Sequence, residues 1–223
     1  KLENRFNIDD GTSVGGFSGD AFLALAGGFG TVKLGRTYTA FDDARALSNG
    51  SNVFDSAFTP SVGGIGGDYI GRGANGIRYE SPVFSGFSGA ASYAFGENKT
   101  PAADASNVIS LHVKYAAGPL AAAYGYQEEN AAGTTANKYN QLSAAYDFGM
   151  ASLSAGYSKR SGTAATGDDK GYNIGVNVPV GAALNLSVGY AREETEIAGN
   201  TSAKAAGFGL GATYNMSKRT ILY

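Results

Sequence analysis

What most constrains this chain is an apolar–polar alternation of period two that restarts again and again. Ile109, Leu111, Val113 and Tyr115 alternate with Ser110, His112 and Lys114, and Leu120, Ala122, Tyr124 and Tyr126 resume the pattern after "AAGP". Successive side chains of a β-strand point to opposite faces, whereas a helix repeats every 3.6 residues. The same grammar recurs in segments near 2–8, 19–27, 30–38, 75–82, 86–96, 107–117, 119–128, 137–148, 150–160, 170–180, 183–194, 203–215 and 218–223. The chain is therefore all-β and antiparallel, with about twelve or thirteen strands.

The connections alternate as well. "AAGP", "DFGM", "PVGAA" and "NMSK" read as tight turns, while "GENKTPAADAS", "ENAAGTTAN", "RSGTAATGDDKG" and "ETEIAGNTS" read as long polar loops. One rim of short turns and one of longer loops is the asymmetry of an outer-membrane barrel. The mean hydropathy of -0.14 is that of a soluble protein, and no run approaches the ~18 apolar residues of a membrane helix. Yet the polar face is mostly Gly, Ala, Ser and Asn, with few of the Lys and Glu residues that a solvated surface carries. Tyr115, Tyr146, Phe148, Tyr190 and Tyr214 close the apolar face at the turn side, where a membrane–water girdle requires aromatics. These features assign the apolar face to lipid and the polar face to a wet interior. A soluble sandwich explains the alternation but not the turn asymmetry or the tyrosines.

Glycine takes 34 of 223 positions, cysteine none, and the net charge is -2. The cysteine count excludes disulfides and thiolate metal sites, and the charge argues against a nucleic-acid partner. "KLENRFNIDDG" has no secretory signal, so the sequence expectation is a removed signal or a start inside a longer chain.

One connection breaks the rhythm. About 36 residues separate Tyr38 from Asn75, far beyond an ordinary loop. They carry Asp42, Asp43, Asp55 and Asp68 together with apolar anchors at Phe41, Leu47, Phe54 and Phe58. A loop folded back onto a lumenal wall needs such anchors. The flanking strands carry Lys33, Arg36, Arg72, Arg78 and Glu80, so an acidic loop is expected to face a basic wall across the pore, with Asp42, Asp43, Asp55 and Asp68 on one side and Lys33 and Arg78 on the other. Charged rings of this kind set ion selectivity.

"FGTVKLGRTYTAFDD" and "NGIRYESPVFSGFSGAASYAFGE", with "NRFNIDDGT", "LSVGYAREETE" and "MSKRTILY", resemble the general diffusion porins of the Neisseria, Burkholderia and Bordetella type, over nearly the whole chain. The resemblance implies a bacterial outer-membrane homotrimer of 16-stranded barrels embedded in lipid, each narrowed by an inward third loop, here 39–74. It implies basic pore residues at Arg36 and Arg78. By alternation Lys33 and Arg78 share the polar face, whereas Arg36 shares a parity with Val32 and Leu34 and needs a bulge or strand end to reach the lumen. Where the family commonly has an arginine, Phe17-Ser18-Gly19-Asp20-Ala21 has none, which weakens an inference of anion preference. Two strands at the start and one at the end of the family's single-domain barrel have no counterpart in 1–223, so the intact protein is expected to be longer. The strand near 19–27, rich in small residues, is the expected trimer contact.

The implied function is passive diffusion of ions and small hydrophilic solutes, without cofactor or metal. The pairs Asp42-Asp43 and Asp168-Asp169 lack the ligand count of a calcium loop. "GRGANG" matches a dinucleotide pattern, but a strand rather than a helix follows it. Two alternatives stand beside the channel. A substrate-selective porin would need an aromatic ladder or arginine comb. An outer-membrane hydrolase would depend on His112, otherwise read with Lys114 as lining the lumen.

Overall fold

A computed structural model describes residues 1–7, 9–13, 15–48, 69–133, 136–162 and 167–222. Twelve strands form one antiparallel sheet in which each pairs with the next in sequence. They are β1 (Ala21–Gly27), β2 (Gly30–Tyr38), β3 (Arg72–Glu80), β4 (Phe87–Phe95), β5 (Asn107–Ala117), β6 (Leu120–Asn130), β7 (Asn137–Asp147), β8 (Ser152–Ser161), β9 (Asp168–Val180), β10 (Leu184–Ile197), β11 (Asn200–Ser217) and β12 (Thr220–Leu222). That order is the wall of an up-and-down barrel. One helix, α1 (Ala40–Ser48), follows β2.

Burial along the strands is inverted relative to a soluble sheet. On β5 through β7 the polar parity is hidden, with Ser110, Gln127, Gln141 and Ser143 at most 1% exposed, while apolar Val113 and Leu142 are 53% and 58% exposed. The exposed aliphatic face is the one a bilayer covers, since lipid solvates apolar side chains and the sheet satisfies its own backbone groups. The hidden polar face is the one that carries α1.

Two glycines make room for that helix. A Cβ at Gly125 of β6 would stand 2.7 Å from the Ala44 Cβ, and one at Gly156 of β8 would stand 2.6 Å from the Ser48 Cβ. At these positions the wall must have no side chain if α1 is to lie against it.

Three expectations are corrected. Segment 2–8 is not a strand of the sheet. Residues 1–3 form a short rung on β1, with the Glu3 amide donating to the Asp20 carbonyl at 2.8 Å, and the chain then reverses where the Asn7 amide donates to the Thr12 carbonyl at 2.8 Å. The turn-forming Asp9, Asp10 and Gly11 override the alternation there, Gly11 having a φ of +70°. The stretch "ETEIAGNTS" is not a long loop: β10 and β11 continue through it to a turn at Ala198 and Gly199, held by register pairs such as Glu194 with Lys204. Polar residues extend a ladder beyond the bilayer when they pair across strands. Tyr190 lies far from the turn rim. It pairs with Ile174, and its ring centroid is 6.2 Å from that of Tyr172. With Tyr124, Tyr126 and Tyr157 on the same outward parity, it forms a second tyrosine belt on the loop side, opposite the belt of Tyr115, Tyr146, Phe148 and Tyr214.

Candidate functional site

The site is α1 and the wall beneath it. The first amides of any helix have no intrahelical acceptor. Thr39, placed to cap α1, leaves its buried hydroxyl without a partner. Hydroxyls of the wall take its place. Ser92 of β4 accepts from the Ala40 amide at 3.2 Å and Ser110 of β5 accepts from the Phe41 amide at 2.6 Å. Arg78 of β3 donates through Nη1 to the carbonyls of Tyr38 and Thr39 at 2.9 and 3.0 Å. His112 of β5 lies with Nδ1 2.7 Å from the Ala40 carbonyl, which can only accept, so Nδ1 carries the proton. At the other end Asn173 of β9 donates to the Ser48 carbonyl at 3.0 Å. The helix is thus tied to strands from β3 to β9.

The return of the connection is tied down too. Gln127 donates to the Ile70 carbonyl at 3.0 Å, and the Ile70 amide donates to Glu129 at 2.6 Å. Phe41, Tyr69 and Tyr139 meet with ring centroids 5.0 to 6.2 Å apart, a small apolar core between helix and wall.

The expected charges occupy two places. Lys33 donates to Glu80 at 2.6 Å, Arg78 donates to the same carboxylate oxygen at 2.8 Å through Nε, and the other end of the Arg78 guanidinium bonds Asp43. His112 Nδ1 is 3.7 Å from Asp43. The expectation of acid on one side of the pore and base on the other is therefore corrected for this pair. Asp43 and Arg78 touch, because α1 rests on the strand that carries Arg78. Two cations and two carboxylates form one cluster without net charge. Lys114 shares the side of Ser110 and His112 but stands nearer the turn rim.

Arg36 and Arg72 do not join it. The bulge that Arg36 needed exists opposite Gly35 and Thr37, but the extra residue lies on β3, so the parity of β2 is kept. Arg36 donates to the Gly19 carbonyl at 3.2 Å. Arg72 donates to Asp20 at 3.2 Å and lies 3.6 Å over the ring of the outward Tyr38. Asp55 and Asp68 lie outside the described residues.

Asp42 accepts a hydrogen bond from the Tyr69 hydroxyl. Burial raises the pKa of its carboxyl above the ordinary aspartate value, and burial likewise raises the Tyr69 phenol. The helix itself, the serine caps, and the roles of Gln127, Gln141 and Asn173 are not evident from the alternation. For Gln127, Gln141 and Asn173 the sequence signal is a larger polar residue on a face mostly of Gly, Ala and Ser. Among the described residues no group of three or more metal-ligating side chains occurs. No serine hydroxyl among them is bonded to His112, whose ring holds the helix instead.

The model of the "Gram-negative porin" family matches residues 1–223. The chain is similar to "Outer membrane porin protein 32" of Delftia acidovorans, 33% identical over 243 residues that cover all of this chain and 66% of that protein. It is 34% identical over 103 residues to "Major outer membrane protein P.IA" of Neisseria meningitidis serogroup C, covering 46% of this chain and 25% of that one. The chain thus spans under two thirds of these relatives' lengths. Among solved structures it is similar to an "Anion-selective porin from Comamonas acidovorans", with a TM-score of 0.78 and 28% identity over 98% of this chain and 69% of that one. With an inverted barrel wall, a helix packed on its polar face and a family match over its whole length, the chain belongs to the Gram-negative porins of the bacterial outer membrane.

Proposed function

We propose that the intact protein is a homotrimeric channel for passive diffusion of ions and small hydrophilic solutes, doing no chemistry of its own. In this reading 39–74 is its constriction. The observation that carries this is α1, held across the polar face by side chains from β3 to β9 while the opposite face of the same strands is apolar and exposed. A helix so placed narrows a lumen without closing it. Lys33, Asp43 and Glu80 border the narrowed part with the buried Arg78 between them, and their mutual neutralisation supports near-equal passage of cations and anions, in contrast to the anion-selective porin of Comamonas acidovorans. Single-channel recording of the intact protein in a planar bilayer under a salt gradient tests both points. Stepwise ohmic insertions in threes with a reversal potential near zero are expected. Folded, inserted protein without conductance overturns the channel, and a large reversal potential of either sign overturns the balanced constriction.

A further inference from the structure

We propose that one water molecule is a fixed part of the joint between β2 and α1, bound by the hydroxyls of Thr37, Thr39 and Ser92. These three residues line a small cleft where the chain leaves the strand and enters the helix, together with Gly73, Gly76 and Ala94. The cleft leaves about 10 Å³ for the centre of a water molecule, which is room for one. The site depends on where α1 docks and holds whatever the lumen conducts.

The bonding pattern selects the ligand. Thr39 is 2% exposed, and its hydroxyl has no partner among the described residues. A threonine in this place ordinarily caps the helix by accepting from a first-turn amide. Here the wall has taken the amides of Ala40 and Phe41, which donate to Ser92 at 3.2 Å and to Ser110 at 2.6 Å. The Thr39 amide donates to the Gly71 carbonyl at 3.0 Å, and Arg78 occupies the carbonyls of Tyr38 and Thr39. The backbone around the hydroxyl is engaged while the hydroxyl is not. A buried hydroxyl left unbonded is costly, and ordered water is the usual remedy. Ser92 accepts from the Ala40 amide and so keeps its own proton to donate, and Thr37, 6% exposed, brings a third hydroxyl to the cleft. Three polar partners are the ordinary complement of a buried water. Other occupants fit less well. Chloride is larger, and the Ala40 and Phe41 amides that a helix N-terminus would offer it already bond serines. A metal cation would find no carboxylate in the lining. Water at this point joins β2, β4 and the start of α1.

The test is a crystal structure of the intact wild-type protein, followed by rates of proteolysis within 39–74 for Thr39→Val, Thr37→Val and the double variant. Density for one water within hydrogen-bond distance of the Thr39 and Ser92 hydroxyls is expected, and an empty cleft overturns the proposal. An anomalous peak at that point in crystals grown in bromide marks an anion site and also overturns it. Valine keeps the shape of threonine and removes the hydroxyl. With the water in place, each single variant takes away one of its partners, and cleavage is expected to run about fivefold faster. The double variant is expected to fall well short of the product of the two, about 25-fold, because both residues hold the same water. Thr39→Ser keeps the hydroxyl and is expected to be cleaved close to the wild-type rate. Slower cleavage of Thr39→Val overturns the proposal, since valine would then be relieving a hydroxyl orphaned in a dry site. Single effects that multiply in full overturn the shared water.

Discussion

Neighbouring residues of β5 live in opposite worlds. Ser110 and His112 are polar and buried, 1% and 7% exposed, while Leu111 and Val113 are apolar and 39% and 53% exposed. In a soluble sheet these numbers would be exchanged. Alternation alone states only that two faces exist. Which one is covered depends on what each face meets: α1 packs on the polar face, and the apolar face is left exposed.

A charge on the outward face is expected to have the largest effect. Leu111→Arg is expected to cost about 2–4 kcal/mol of folded stability in vesicles if the residue stands near the bilayer midplane. Ala121→Arg, on the lumenal parity of β6 and away from α1, should stay within about 0.5 kcal/mol. Urea titrations of the two variants, read by heat-modifiable gel mobility, would collapse the comparison if both lost stability equally.

A smaller effect is expected where helix and wall touch. Gly125→Val inserts atoms at a point where a Cβ would already stand only 2.7 Å from the Ala44 Cβ and 3.2 Å from the Phe41 Cδ2, and overpacking of this kind costs about 1–3 kcal/mol. The barrel wall should survive and α1 should be displaced, so channel noise and protease access to 39–74 should rise at unchanged folded yield. Ser110→Ala leaves the Phe41 amide without its acceptor and should weaken helix docking by about 1–2 kcal/mol, read by the same proteolysis.

The smallest expected effect is a pH dependence. Burial raises the folded-state pKa of Asp42, so the folded state binds the proton more tightly than the unfolded chain does. Its contribution to helix docking is fully present below the ordinary aspartate range and falls as pH rises through the raised value. Asp42→Asn should flatten that part of the docking profile. A profile unchanged by this substitution would show that the Asp42–Tyr69 contact carries no linkage.

Much of the wall is legible from residues 107–161. Alternation there runs the length of each strand, and β5 (Asn107–Ala117) begins and ends where the pattern does. The helix is not legible, because "TAFDDARALS" is short and is held by partners far away in sequence. Ser110 is 69 positions from Phe41 and Asn173 is 125 from Ser48. Lys33, Arg78, Asp43 and His112 stand out as polar residues on the right parity or loop, but their contact does not. Charges on a loop and on a wall could stand apart or together, and the docking depth of α1 decides between them. The second tyrosine belt escapes the sequence for a related reason. Tyr124, Tyr157, Tyr172 and Tyr190 sit mid-segment, and only the register of five strands brings them to one level.

The local periodicity, the antiparallel meander and the two chemically distinct faces follow from the amino-acid order, since these depend on near neighbours and on turn chemistry. The position of α1, the pairing of Asp43 with Arg78 and the alignment of Lys159 with Lys170 beyond the tyrosine belt arise from the folded arrangement. Those contacts join residues brought together by strand register and by the close approach at Gly125 and Gly156, and no short-range pattern encodes either.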